Sequence, residues 1–339
     1  MDLPSVLLDH YDRTRRAMPW RETSDPYAIW VSEVMLQQTR VDAVIPYWER
    51  WMARFPTVHA LAEADLGDVL RHWQGLGYYS RARNLHRAAR EVRERYTGEV
   101  PGEAEELRRL PGVGEYTAGA VASIAFGRRV PAVDGNVRRV LSRLHNLENP
   151  GSAELRRLAH DLVPADRPGD FNQALMELGA TLCTPRSPRC ERCPVAAWCR
   201  ARALGVQEER PRPKPRKRVP EEAVETAVVV RDDRALLLVR RPEAGLLGGM
   251  WEPPGEHRPA AVQALIVDAD LGPEMDPVVH VFSHKRVTYH PRIHHAPAAT
   301  LRDGAGVAWV TGERLSGYAL PVAQARIARR ALQLLPGVW

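Results

Sequence analysis

Through residue 204 the apolar positions recur at the three- and four-residue spacing of helices, broken by tight turns, and no stretch alternates as a strand would. Asp25-Pro26 is a start signal, a capping carboxylate followed by proline in the first turn. The helix it opens runs through AIWVSEVMLQQ. Further helices are expected over Val41–Arg54, Leu66–Gln74, Arg81–Tyr96, Glu103–Leu110, Thr117–Phe126, Val137–Leu147, Ser152–Leu162 and Phe171–Leu182. From about residue 223 the period shortens. ETAVVVRD, RALLLVRRP, PVVHVFSHKRVTYH and GVAWVT read as strands, and Arg258–Asp268 and Pro321–Leu335 as helices. Between the two patterns, residues 205–222 (GVQEERPRPKPRKRVPEE) form a Pro/Arg/Lys run. Such a run is expected to be an extended, solvated linker that does not pack, with a phosphate-binding arm as the alternative. The chain is therefore expected to be multidomain: all-α over 1–204 and α+β over 223–339.

Composition narrows the class. At 339 residues and 44% apolar the chain can bury a sizeable core, and no apolar run approaches the roughly 18 residues of a membrane span. No secretion signal opens the sequence, so a soluble cytoplasmic protein is expected, lying with the nucleoid DNA if the source is bacterial. The net charge of +6 suits a polyanionic partner, although a merely basic protein satisfies it equally. Lysine occurs only at 214, 217 and 285, so amine chemistry from a lysine side chain is absent from the first 213 residues.

The only cysteines are Cys183, Cys190, Cys193 and Cys199, spaced C-x6-C-x2-C-x5-C. Four clustered thiolates in a Pro- and Arg-rich segment point to one metal centre. A [4Fe–4S] cluster takes four Cys, whereas structural zinc usually shows paired short knuckles, and here one pair alone is short. Zinc stands second, and two disulfides third for want of an oxidising compartment.

Three further features carry chemistry. In LPGVGEYTAGA (110–120), Gly112 and Gly114 make a tight turn that exposes backbone N–H groups at a helix start. That is an anion site of the helix-hairpin-helix kind, expected over about 103–126, or else a plain helical corner. Glu33 lies among Ile29, Trp30, Leu36 and Gln37 on a helix. If desolvated it would hold a proton near neutrality and serve as a general acid; otherwise it is a surface glutamate. Asp134 opens VDGNVRRVLSRL. It is either an ordinary N-cap or a carboxylate kept ionised to stabilise a cation, with Asn136 placed to orient it or a phosphate. Two carboxyl groups of opposed protonation break glycosidic bonds.

PWR (19–21), SEVMLQQTRV (32–41), GLGYYSRARNL (75–85), LPGVGEYTAGA, VDGNVRRV, FNQALMELGA (171–180), the four cysteines and FSH (282–284) together resemble the endonuclease III superfamily of DNA glycosylases, and within it the MutY-type adenine DNA glycosylases. The resemblance implies a monomeric enzyme that excises adenine mispaired with 8-oxoguanine or guanine in duplex DNA. Glu33 would protonate the adenine and later help activate water, and Asp134 would stabilise the sugar cation. Tyr116 stands where bifunctional relatives carry a Schiff-base lysine, which implies a monofunctional enzyme. Gln37, Gln38 and Thr39 would meet the opened pair and Tyr78 would insert beside it, while Arg16, Trp20, Arg21 and Gln173 would line the adenine pocket. Arg186, Arg189 and Arg192 of the cluster loop (183–199) would lie against phosphates.

Residues 223–339 resemble the Nudix-related domain of such enzymes. After EPPGEH the helix reads RPAAVQALIVDAD, without the carboxylates that hold Mg²⁺ in a working Nudix hydrolase, so recognition rather than hydrolysis is expected. Phe282, Ser283 and His284 match the loop that checks for 8-oxoguanine. His280, His284, His290, His294 and His295 form a local run for which solvated or DNA-facing histidine is the expectation and a metal site the alternative.

Overall fold

The structure is a computed structural model that describes residues 2–213, 218–255, 258–296, 301–304 and 306–334. In order, its helices are α1 (Leu3–Thr14), α2 (Pro26–Leu36), α3 (Val41–Arg54), α4 (Val58–Glu63), α5 (Leu66–Trp73), α6 (Ser80–Arg95), α7 (Ala104–Leu107), α8 (Glu115–Phe126), α9 (Gly135–Leu144), α10 (Ser152–Leu162), α11 (Pro168–Thr181) and α12 (Arg200–Ala203). Strands follow: β1 (Glu221–Arg231), β2 (Leu236–Arg240), β3 (Trp251–Glu252), then α13 (Ala260–Asp268), β4 (Asp270–Glu274), β5 (Val278–Val281), β6 (Arg286–Ala296), β7 (Val307–Val310) and α14 (Val322–Leu334). No helix among the described residues is long and apolar enough to cross a membrane.

The chain separates into two units, Met1–Glu63 with Asn84–Pro215, and Ala64–Arg83 with Arg216–Trp339. The first is helical. Asp25 caps α2 by accepting from the Tyr27 N–H at 3.0 Å, and Pro26 fills the first turn. Residues 27–35 of α2 are all buried, as are 117–123 of α8. A helix apolar on every side belongs inside a core, and α2 and α8 pack against each other there. Gly119 makes the next contact possible: a Cβ there would stand 2.2 Å from the Pro131 carbonyl oxygen. Asn172 of α11, fully buried, donates to Ser123 Oγ and the Val130 carbonyl, both at 2.9 Å, and accepts from the Ala132 N–H at 3.1 Å. It thereby pins the loop that leads into Asp134.

The second unit is built on a mixed sheet of order β3-β2-β1-β6-β4, with β5 paired to β6 and β7 to β2. β1 and β6 run parallel from Glu221 opposite Arg286 to Arg231 opposite Ala296. Val224, Val228 and Val230 of β1 pack with Ile327 and Ala328 of α14, whereas Ala227 and Val229 pack with Val262 and Leu265 of α13. β1 is thus covered on both faces, which explains its unbroken apolar run.

Two expectations are corrected and one segment groups differently. Residues 64–83, read with the helical domain, cluster by contacts with the strands. Arg83 donates to the Gly248 carbonyl at 2.9 Å and Arg71 to that of Gly317 at 3.3 Å, while Leu70 lies beside Gly249. The polar run is not wholly solvated. Its described part folds onto the helical unit through Arg210 Nε to Asn146 Oδ1 at 2.8 Å and the Arg212 N–H to the Glu148 carbonyl at 2.8 Å; residues 214–217 lie outside the described ones. The long segment from 277 to 290 is two strands. Phe282–Lys285 turns between β5 and β6, closed by the Phe282 N–H on the Lys285 carbonyl at 2.8 Å. Helices α1, α4 and α12 and strands β3 and β4 went unforeseen.

Asn172→Ala removes three buried hydrogen bonds and leaves their partners unpaired, so we expect a loss of roughly 3 kcal/mol in urea unfolding. A change within 0.5 kcal/mol, a neutral substitution on the usual scale, defeats this account of the loop.

Candidate active site

Glu33 sits in the middle of α2 with 5% of its surface exposed. Tyr116, in the first turn of α8, donates its hydroxyl to Glu33 Oε2 at 2.5 Å and lies 3.2 Å from Met176 Sδ. Burial pushes the Glu33 carboxyl up to about 7, nearby Asp134 adds to the rise, and the Tyr116 and Arg21 contributions oppose it. At that value Glu33 retains near neutrality a proton that a carboxyl normally loses, and its burial sets aside the surface-glutamate alternative. Burial also carries the Tyr116 hydroxyl well above its ordinary value, with both carboxylates adding.

Asp134 caps α9, accepting the Val137 N–H at 2.7 Å, and Asn136 Nδ2 donates to its second oxygen at 2.9 Å. The N-cap that the sequence offered is therefore present. Burial nonetheless raises Asp134 above its ordinary value, since desolvation outweighs these donors. Tyr116 and Asp134 line one cavity of about 300 Å³.

Of the other expected site residues, Gln37 joins this site, its Nε2 donating to Thr117 Oγ1 of α8 at 3.1 Å. Gln38 is exposed in the left-handed region at φ 57°, and Thr39 is half-buried. Gly112 turns with φ 77°, where a Cβ would strike Asn84 at 2.6 Å. Gly114 does not need that freedom: it caps α8 at φ −89° and faces open space. Arg16 and Arg21 both pair with Glu177, at 2.6 and 3.1 Å, and Arg21 Nε donates to Gln173 Oε1 at 3.1 Å. Trp20 is buried edge-on to Trp48 at 6.0 Å. Glu177 organises the set and escaped the sequence reading, because a glutamate in FNQALMELGA carries no signal until its arginines are placed.

In the second unit, Tyr78 (42% exposed, φ 48°) lines a cavity of about 310 Å³ with Phe282, Ser283 and His284. His280 stacks edge-on against Phe282 at 4.5 Å. Contrary to the solvated expectation, His280, His290, His294 and His295 are half-buried, and burial lowers His280 and His294. Among the described residues no three His, Cys, Asp or Glu side chains converge to hold a single ion.

The four thiols are free and half-buried, and Cys183, Cys193 and Cys199 pack beside the helical core. Burial, with smaller contributions from the neighbouring cysteines, pushes the Cys193 thiol up to about 11. Four cysteines in one short loop beside the helical core have the donor set of a [4Fe–4S] cluster, which would displace their protons on binding. Arg143, 2% exposed, reaches Cys183 Sγ at 3.2 Å and donates to the Thr184 and Pro185 carbonyls, while Arg139 Nε donates to the Cys183 carbonyl at 2.8 Å. The four-residue spacing of these arginines on α9 was a signal the sequence reading passed over. Arg186, Arg189 and Arg192 are exposed, as expected.

A buried acid, a capped carboxylate and a hairpin define a helix-hairpin-helix DNA glycosylase carrying an iron–sulfur loop. Residues 31–165 match the HhH-GPD superfamily of base excision DNA repair proteins, 183–199 the iron-sulfur binding domain of endonuclease III, and 226–330 the NUDIX domain. The chain is 39% identical to the adenine DNA glycosylase of Homo sapiens over 95% of its own length and 72% of that protein's, and 40% identical to that of Mus musculus over 96% and 77%. Among solved structures, a thermostable thymine-DNA glycosylase aligns with a TM-score of 0.56 at 32% identity, over 59% of this chain and 95% of that one. A non-covalent endonuclease III–DNA complex aligns at 0.52 and 26%, over 61% and 100%. The chain belongs to the adenine DNA glycosylase family of base excision repair, and its partner is DNA.

Glu33 has a measurable thermodynamic signature. Its folded value of about 7 exceeds the ordinary 4.5, so folding takes up a proton between those values and stability falls as pH rises through that window. Glu33→Gln escapes the penalty. At pH 8 the variant should be more stable than the wild type by on the order of 3 kcal/mol, with the gap closed near pH 4. Urea unfolding at both pH values decides; an equal gap at both rejects the raised pKa.

Proposed function

We propose that the enzyme extrudes adenine paired with 8-oxoguanine or guanine and hydrolyses its N-glycosidic bond, leaving an abasic site without cutting the strand. The observation that carries this reading is the protonated Glu33 carboxyl, bound through Oε2 to Tyr116. Its second oxygen remains for adenine N7. Proton donation to N7 lets the C1′–N9 bond break with its electron pair leaving on the base. Asp134, ionised, offsets the positive charge that develops on the sugar. Water then adds at C1′ and yields a proton to the Glu33 carboxylate, which restores the acid. A strand-cleaving lyase of this family needs a lysine amine, and the helical unit has none through residue 213.

Around this step, Arg16 and Arg21, held by Glu177, and Gln173, held by Arg21, shape the adenine pocket with Trp20. Gln38 and Tyr78 enter the opened pair, and Ser283 between Phe282 and His284 hydrogen-bonds 8-oxoguanine. The left-handed backbone at Gln38 and Tyr78 supports this, as does the cavity that Tyr78 shares with Ser283. The enzyme acts as a monomer and, in a bacterial cell, in the cytoplasm.

Duplexes with A opposite 8-oxoguanine, G or T, followed by alkaline cleavage, test the substrate. Adenine should be released from the first two, and removal of thymine or a damaged pyrimidine in its place overturns the assignment. Glu33→Gln should lose roughly a thousandfold or more in single-turnover rate while still binding duplex. The acid role also fixes the pH profile. Activity should fall as pH rises through about 7. Tyr116→Phe removes a donor that holds the Glu33 value down, so its alkaline limb should move to higher pH; a limb that stays or moves lower contradicts the assignment.

A further inference from the structure

The cavity beside Asp134 holds more than the catalytic groups. With Tyr116 and Asp134 it is lined by Arg138 of α9, and by Ser152 and Arg156 of α10. Glu115, the first residue of α8, also borders it and bridges two arginines. One of its oxygens pairs with Arg156 and the other lies 3.6 Å from Arg108. The three side chains are 38–53% exposed, so solvent and salt keep this ion pairing weak.

A sugar whose C1′ faces Asp134 brings its own flanking phosphates within a few bonds. One of them must enter the same cavity, close to an ionised carboxylate that repels it. Cationic lining offsets that repulsion, and arginine binds phosphate oxygens in a charge-assisted, often bidentate way. Yet a carboxylate at the start of the hairpin helix stands where a phosphate is wanted. This conflict resolves if the carboxylate is a substitute that leaves.

We propose that Arg138 and Arg156 form the subsite for the phosphodiester flanking the extruded adenosine, and that Glu115 is its internal stand-in, holding Arg156 and Arg108 until the phosphate displaces it. The inference rests on the adenine-release reading above. Glu115 thereby lowers the affinity for any duplex and leaves its cost to be met where the nucleotide enters the cavity.

The test uses the full-length, cluster-loaded protein in a Glu33→Gln background. It measures binding to a duplex with A opposite 8-oxoguanine as a function of salt, beside adenine release by the wild type. Arg138→Gln and Arg156→Gln should each flatten the log–log salt slope by about one. Glu115→Gln should tighten binding by up to about fivefold, and should gain less when Arg156→Gln is already present. Unchanged slopes with both arginine variants, or weaker binding by Glu115→Gln, overturn the subsite while normal adenine release leaves the reaction standing. Slopes that change as expected in a wild type that releases no adenine uphold the anion subsite and sink the reaction.

Discussion

Everything at the site follows from placing one carboxyl group where water cannot reach it. α2 is apolar on every side because it threads the helical core, and Glu33 is the exception carried inside with it. Desolvation makes the charged form costly, so the group keeps its proton near neutrality. The short bond from Tyr116 works against that rise and fixes the carboxyl's direction. An acid of this kind weakens the fold above its pKa, which is the familiar tension between stability and a site built for chemistry. Packing elsewhere must absorb it. The fully buried Asn172, whose side chain closes three hydrogen bonds, and the close approach allowed at Gly119 are the means on the opposite side of α8.

Asp134 shows how a helix N-cap is itself held from behind. Its N-cap bond to Val137 sets the side chain, and Asn136 fixes the other oxygen. Asn136 in turn accepts from Arg139 Nη2 at 2.9 Å, and Arg139 holds the carbonyls of Gly179 and Cys183. One turn further along α9, Arg143 grips the start of the cysteine loop. A continuous chain of hydrogen bonds therefore ties the carboxylate to the iron–sulfur loop. Arg139 and Arg143 are thus what hold that loop against α9.

Much of this was legible in the chain. α3 and α10 ended where the pattern said, since capping and periodicity there agree with the tertiary contacts. Glu33 stood out because it breaks a local rule, a charge inside an apolar stripe, whereas Asp134 reads locally as an ordinary N-cap and gained weight from the VDGNVRRV motif. What escaped was relational. Glu177 matters only through Arg16 and Arg21, more than 150 residues away. Residues 64–83 read as ordinary helix, and nothing local announces that Arg71 and Arg83 are satisfied by carbonyls of Gly317 and Gly248. β4 (DLGPE) carries Gly and Pro and is exposed along most of its length, so it forms by pairing with β6 and not by propensity.

The second unit makes the complementary point about loss and retention. Its sheet keeps the parallel β1/β6 pair, buried on both faces and costly to alter. α13, by contrast, presents AAVQALIVD where a hydrolase would need several carboxylates for a metal. A scaffold can shed its metal ligands without harm to packing, because those side chains face outward from a helix whose apolar face alone joins the sheet. What remains is a rigid frame for the turn at Phe282–Lys285. That turn shares a cavity with Tyr78, whose strained backbone is held by Arg81: the guanidinium stacks over Trp73 and Tyr78 and donates to the Leu76 and Gly77 carbonyls. Strain of this sort persists only where surrounding contacts over-determine it, and here the contacts come from the same unit that carries Ser283. The Tyr78 backbone and the Phe282–Lys285 turn are thus parts of one packed unit.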